Sequence, residues 1–178
     1  MERTPVAKMA ISALMTALAV TLLYISSLIP GMRLSLCAIA GLPVALAVIK
    51  CGRGYGFGVW ASASVIGLFV PPLKAPGVIF ALLFGLYPVL KSIFEMARIG
   101  TLLSYVLKFT YFLSATAAAF GLAHYFGLLT GGRIEILGIG LDLADAQILA
   151  AVVAVAALFV YDFALGRLIG LYIGRFSN

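Results

Sequence analysis

Four charged side chains interrupt apolar runs: Lys91 and Glu95 in "FALLFGLYPVLKSIFEMARIG", residues 80–100, Lys108 in "LSYVLKFTYFL", and Asp162 in "LFVYDFALGRLIGLY". Ammonium and carboxylate groups held in hydrocarbon can relay protons, pair with a charged substrate or lock helices together, and their depth decides among these roles. Lys91 falls about two turns before the end of its run and Lys108 about two turns after the start of the next, ~9 to 10 Å from the helix ends at ~1.5 Å per residue. A lysine stem snorkels over that distance, whereas an aspartate does so less readily. A charge at the bilayer centre costs on the order of 3 kcal/mol, so the sequence predicts that Asp162 pairs with Lys108 or Lys91. Glu95 is expected to face Lys91 one turn away, an i,i+4 pair in the less favourable order. By depth, Lys91 changes from a possible substrate lysine into a structural or partner-facing charge.

The remaining inventory for chemistry is thin. His124 is the single histidine. It sits toward the end of the fifth apolar run beside Tyr125, far in sequence from any acid, and reads as an interfacial aromatic. The sequence contains no HExxH, GxSxG or Walker-type loop. "GRGYGFG", Gly52 to Gly58, lacks the preceding strand and the GK[ST] or GxGxxG context that phosphate cradling requires, and reads as a turn into a tightly packed helix. Cys37 and Cys51 flank one apolar segment near its opposite ends, which argues against a disulfide, and they offer no metal-ligand spacing. The chain is therefore read as non-enzymatic, without metal or cofactor. An enzyme acting on lipid-linked substrates would have only Asp162 and its lysines to work with.

These residues are carried by 178 residues that are 64% hydrophobic and 10% charged, with a mean hydropathy of +1.19. Soluble domains have an apolar share nearer half, so this composition belongs to an integral membrane protein in contact with lipid. The formal charge of +6 arises from 12 Lys and Arg scattered between apolar runs, which sets nucleic acid aside as a partner. The first apolar run, Met9 to Ile29, is about 21 residues, longer than a signal-peptide core, and is read as a retained span.

Gly, Pro and charge clusters cut the chain into six predicted helices over 9–29, 34–50, 55–71, 77–95, 102–127 and 147–173. The expected fold class is an all-α polytopic membrane protein, a compact bundle of six transmembrane helices in a single domain over 1–178. The short breakers "IPGMR", "KCGRGYG" and "PPLKAPG" make consecutive helices antiparallel neighbours. The second, third and fourth runs are marginal in length and open to tilting, breakage or re-entry. Pro88 removes an amide donor inside the fourth and is expected to kink it. With a cytoplasmic N-terminus, that side collects Arg3, Lys8, Lys50, Arg53, Lys91, Arg98, Lys108, Arg167 and Arg175, and the outside only Arg33, Lys74 and Arg133. This bias places both termini inside, and a bacterial inner membrane is the natural setting for so compact a polytopic chain. Glu135, Asp142 and Asp145 make the longest external loop acidic. No second half resembling the first supports an inverted-repeat transporter.

Small residues carry a further signal. Ala10, Ala13 and Ala17 fall near one face of the first helix, Ala13 and Ala17 as an AxxxA pair. Gly54, Gly58 and Ser62 recur every fourth residue in the third, where Ala63 also pairs with Gly67. Such stripes allow helices to approach closely where lipid supplies no hydrophobic drive, within the chain or against another subunit. The alanine-rich "KMAISALMTALAV", the proline-marked turn "SLIPGMRL" and the glycine-rich "GYGFGVWASASVIGL", set among six short helices, resemble the substrate-binding S components of energy-coupling factor (ECF) vitamin transporters. The resemblance covers most of the chain in layout. It implies a binding subunit that captures a vitamin-like micronutrient from outside and associates with a transmembrane coupling subunit and paired ATPases. On that resemblance Ala13 and Ala17, extended by Ala10, dock the coupling subunit. Arg33, Lys74, His124, Tyr125, Glu135, Asp142 and Asp145 border an outward pocket for a small-molecule ligand. No ligand-specific signature selects among biotin, thiamine, riboflavin and folate. The charged cluster inferred for Lys91, Glu95, Lys108 and Asp162 lies toward the cytoplasm, away from such a pocket. That placement admits a second expectation, a small non-transporting scaffold of cell-envelope assembly.

Overall fold

A computed structural model describes residues 4–29, 32–96, 101–125, 134–136, 139–141, 152 and 155–167. The described chain is helical apart from one short hairpin. It divides into two compact units, residues 1–108 and 109–178.

In the first unit, α1 spans Pro5–Leu28. Thr4 starts it by accepting a hydrogen bond from the Ala7 N–H at 3.4 Å, and Pro5 supplies a preset φ where no amide donor is needed. α2 spans Arg33–Cys51 and carries Pro43 on its buried side. One residue, Gly52 at φ 102°, separates it from α3, Arg53–Phe69. Only glycine takes that left-handed conformation without strain. The tight turn folds α3 back along α2, so that Gly56 lies against Val48 with no room for a Cβ.

Farther along α3 two more glycines make close contacts. Gly67 packs against Leu23 of α1, whose Cδ1 would lie 2.7 Å from a Cβ added there. The chain then turns through 70–74 into α4, Ala75–Ile79. Gly77 of α4 meets Gly67 backbone to backbone, and a Cβ at Gly77 would fall 2.8 Å from the Gly67 carbonyl carbon. Of the two small-residue stripes on α3, therefore, Gly56, Ala63 and Gly67 face inward, while Gly54, Gly58 and Ser62 are exposed. Ala19 and Leu23 of α1, Cys37, Ala40, Val44 and Ala47 of α2, and Phe80, Phe84 and Tyr87 complete this core.

The expected fourth helix is not one regular helix. α4 passes into a single π-helical stretch, Phe80–Phe84, bends at Gly85 and Leu86, and resumes as α5, Tyr87–Met96. The Gly85 N–H bonds the Phe80 carbonyl, five residues back, at 2.7 Å, and α5 restarts with the Val89 and Leu90 amides on the Leu86 carbonyl. Pro88 explains the location. Its ring cannot follow a regular helix past the Phe84 carbonyl, and the wider turn before it absorbs the misfit. The perturbation expected at Pro88 is thus centred about one turn earlier.

α6 spans Thr101–Tyr125 and crosses from the first unit into the second. There its later half packs with α7, residues 155–167, through an edge-on contact of Phe112 and Phe159 at 5.4 Å, with Leu158, Tyr161 and Leu165 buried. Between them, β1 (Ile134–Ile136) and β2 (Ile139–Leu141) pair antiparallel within the loop expected over 130–147, setting Glu135 opposite Gly140. The hairpin was not expected from the sequence, because three-residue strands are too short for alternation to declare itself.

Among the described residues, three helical stretches are long and apolar enough to cross a membrane: Pro5–Leu28, Arg33–Cys51 and Ala75–Phe94. α3, with 17 residues, measures roughly 25 Å against a hydrocarbon core of about 30 Å, in keeping with its marginal length in the sequence.

The glycine contacts make a differential prediction. Gly77→Val should lower the thermal stability of the protein in detergent by about 1–3 kcal/mol through overpacking. Gly58→Ala, at a position where an added Cβ meets nothing within 4 Å, should change it by less than about 0.5 kcal/mol. Equal effects of the two substitutions would show that the Gly67–Gly77 seam is not tight.

Candidate functional site

The end of the first unit where α1 stops and α2 starts is knitted by polar side chains. Ser26 Oγ donates to the Arg33 carbonyl at 3.1 Å and lies 3.5 Å from Cys37 Sγ, and the Cys37 thiol donates to the Pro76 carbonyl at 3.6 Å. These bonds bring the starts of α2 and α4 to the same end, and with them Arg33 and Lys74. The two cations have different settings. Lys74 is exposed, donates to the Phe69 carbonyl at 3.2 Å and sits 6.0 Å from the Phe69 ring centroid. That is a favourable place for a lysine, at the carbonyl end of α3, and it gives Lys74 a helix-terminating role. Arg33 is half-buried at the first position of α2, against the preference of the helix dipole. Its Nε is shielded from solvent and meets no acceptor among the described residues.

α1 is packed on one side only. Ala19, Leu23, Ser26 and Ser27 are buried, whereas Ala10, Ala13 and Ala17 are all exposed. They form a shallow strip bordered by the larger exposed side chains Met9, Leu14 and Leu18. Ser12, Thr16 and Thr21 return their hydroxyl protons to carbonyls four residues earlier, which removes their donors from competition on this helix.

The charged residues are distributed over both units. Lys91, on α5, is buried at 4% relative exposure, deeper than snorkelling to a surface would leave it. Lys108 closes the first unit and Asp162 lies on α7 in the second, both half-buried. None of the three lacks an interaction partner. The Glu95, His124, Tyr125 and Glu135 side chains lie outside the described residues, although their backbones fall in α5, α6 and β1, and Asp142 and Asp145 lie outside them altogether.

Sequence reasoning missed the interaction of Trp60. Its indole Nε1 donates to the Ala81 carbonyl at 2.9 Å, and its ring abuts Gly85, where a Cβ would meet Trp60 Cδ1 and the Phe80 ring at 2.8 Å each. The only available signal was that Trp60 is the single tryptophan of the chain, following a helix start in which every second residue from Gly54 to Gly58 is glycine. Among the described residues, no group of three His, Cys, Asp or Glu side chains could hold a metal ion.

No family model matches the chain, and no curated protein or solved structure matches it.

The polar knot and the Gly52 turn lie at opposite ends of α2, which yields a test of membrane crossing. In vesicles, single-cysteine variants at the exposed positions Met32 and Pro72 should react with an impermeant thiol reagent from one side, and a variant at Arg53 from the other. Reaction of all three from the same side would mean that α2 does not cross.

Proposed function

We propose that this chain is the substrate-binding subunit of an ECF-type micronutrient uptake transporter, a multi-pass protein of the bacterial plasma membrane with both termini cytoplasmic. The observation that carries the reading is the exposure of Ala10, Ala13 and Ala17 on α1. An apolar helix face in lipid needs no cover, so exposure alone argues for nothing. Small side chains flanked by Met9, Leu14 and Leu18 are different, because they make poor contact with lipid chains and allow a second helix to approach closely. A transmembrane coupling subunit is the partner that this strip fits, with ATPases attached to it.

In this orientation the polar knot faces outward. Arg33 and Lys74 then stand at the mouth from which a ligand would be captured, and the Arg33 Nε, which meets no acceptor among the described residues, suits an acidic group on that ligand. The ion-pair expectation for Lys91, Glu95, Lys108 and Asp162 is retained as a structural element on the cytoplasmic side. A second reading, a non-transporting scaffold of the cell envelope, draws on the other small-residue strip, Gly54, Gly58 and Ser62, which is also exposed and would serve a partner whether or not anything is transported.

The test is co-purification from the native membrane. Ala13→Trp or Ala17→Trp should leave the protein folded and abolish recovery of its membrane partner, while Val65→Trp, on the exposed side of α3, should not. Unchanged recovery with both alanine variants would remove the docking face. Mass spectrometry of small molecules carried by the wild-type protein separates the two readings, since a retained partner without any retained micronutrient favours the scaffold.

A further inference from the structure

The junction of α4 and α5 contains one carbonyl with two alternative donors. In a regular α-helix the Ala81 carbonyl would accept from the Gly85 N–H, four residues on. Here the Gly85 N–H reaches instead to Phe80, and the indole of Trp60, reaching across from α3, donates to Ala81. Apolar surroundings leave an unmet carbonyl costly, so the π turn and the Trp60 bond support one another. If Trp60 withdraws, Ala81 regains a partner by taking the Gly85 N–H, the π turn becomes α, and the misfit at Pro88 falls wholly on the bend at Gly85 and Leu86.

We propose that Phe80–Phe84 is a switch between π and α geometry, latched in the π state by the Trp60 indole, that turns α4 relative to α5. The change screws one segment against the other by about 100° and ~1.5 Å, the increment of one residue. The shorter flank, α4, with five residues against ten in α5, is the one that turns. It meets α3 at the Gly67–Gly77 backbone contact, and its buried Pro76 and Val78 repack as it turns. Its polar tie to α2 is a long thiol bond from Cys37 to the Pro76 carbonyl. Gly85 belongs to the same device. The rings of Trp60 and Phe80 occupy the space of any Cβ there, so only glycine permits the latched state. The inference does not depend on what the protein binds; it states how a change at the Lys74 end is converted into rotation at the membrane-embedded bend.

The test uses spin-label distances in the full-length protein in lipid nanodiscs. One pair joins Met9 and Lys74, across from α1 to the start of α4. A control pair joins Met32 and Ile93, from the start of α2 to α5. All four positions are exposed, and the native Cys37 and Cys51 are buried. Trp60→Phe removes the donor and keeps most of the ring. It should shift the Met9–Lys74 distance by roughly 3–4 Å, the chord of a 100° turn at the helix radius, and leave Met32–Ile93 unchanged. Deletion of Leu82 removes the extra residue of the π turn and so allows α geometry with both flanks in their present register; it should leave both pairs unmoved. An unmoved first pair in a folded Trp60→Phe variant, or a first pair moved by the deletion as much as by Trp60→Phe, overturns the switch. If neither variant folds, the π turn is obligatory and the proposal also fails.

Discussion

A backbone carbonyl among apolar side chains needs a donor from the protein itself, and the first unit is arranged around how that demand is met at Ala81. The indole of Trp60 meets it at 2.9 Å, which requires α3 to hold Trp60 level with the bend between α4 and α5. The register of α3 is fixed in turn by the one-residue turn at Gly52 and the contact of Gly56 with Val48. Gly85 must then lack a side chain, because the rings of Trp60 and Phe80 fill its Cβ position. A single hydrogen bond between residues 21 apart thus constrains three glycines and the direction in which the last part of the unit leaves the bend.

The same logic runs along the rest of α3. Its inward stripe of Gly56, Ala63 and Gly67 allows α1, α2 and α4 to approach, and the polar knot of Ser26, Cys37 and the Arg33 and Pro76 carbonyls closes that end without any charged pair. Close backbone approach at small residues and satisfied carbonyls are what these helix contacts share. α1 contributes Ala19 and Leu23 to this packing and leaves its Ala10, Ala13 and Ala17 strip outside it. That strip is the surplus on which the docking argument rests.

Helix positions were legible because unbroken hydropathy and the Gly and Pro breakers are local properties. The described helices fall within a few residues of the expected spans, α1 starting four residues early at its Thr4 cap. Pro88 was legible as a disturbance, but its geometry was not, since the response depended on an indole in another helix. Helical period also placed two small stripes on different faces of α3. It could not say which one was buried, because that is decided by Val48, Leu23 and Gly77, residues from three other helices. Of the expected ligand set, Lys74 acquires a local explanation from the Phe69 carbonyl five residues before it, a proximity set by the 70–74 turn. Lys91 is buried, where snorkelling would have left its ammonium at a surface; distance from a helix end is legible in a sequence, but not which neighbours close over a side chain.

Burial of Lys91 then bears on which side of the bend can turn. A buried ammonium cannot be left without a partner, because desolvating an uncompensated charge is costly. Lys91 is buried and has an interaction partner, which fixes the arrangement around it. Lys91 sits one turn beyond Tyr87, itself fully buried, on the helix that packs along α2. Rotation of α5 would drag both out of their enclosures. α4 is enclosed too, with Pro76, Gly77 and Val78 buried, but it holds no charge within its five residues. Apolar contacts can be exchanged for other apolar contacts, whereas a buried ammonium cannot give up its partner, so a π turn placed between the two flanks directs any change of register toward the end where Arg33 and Lys74 stand.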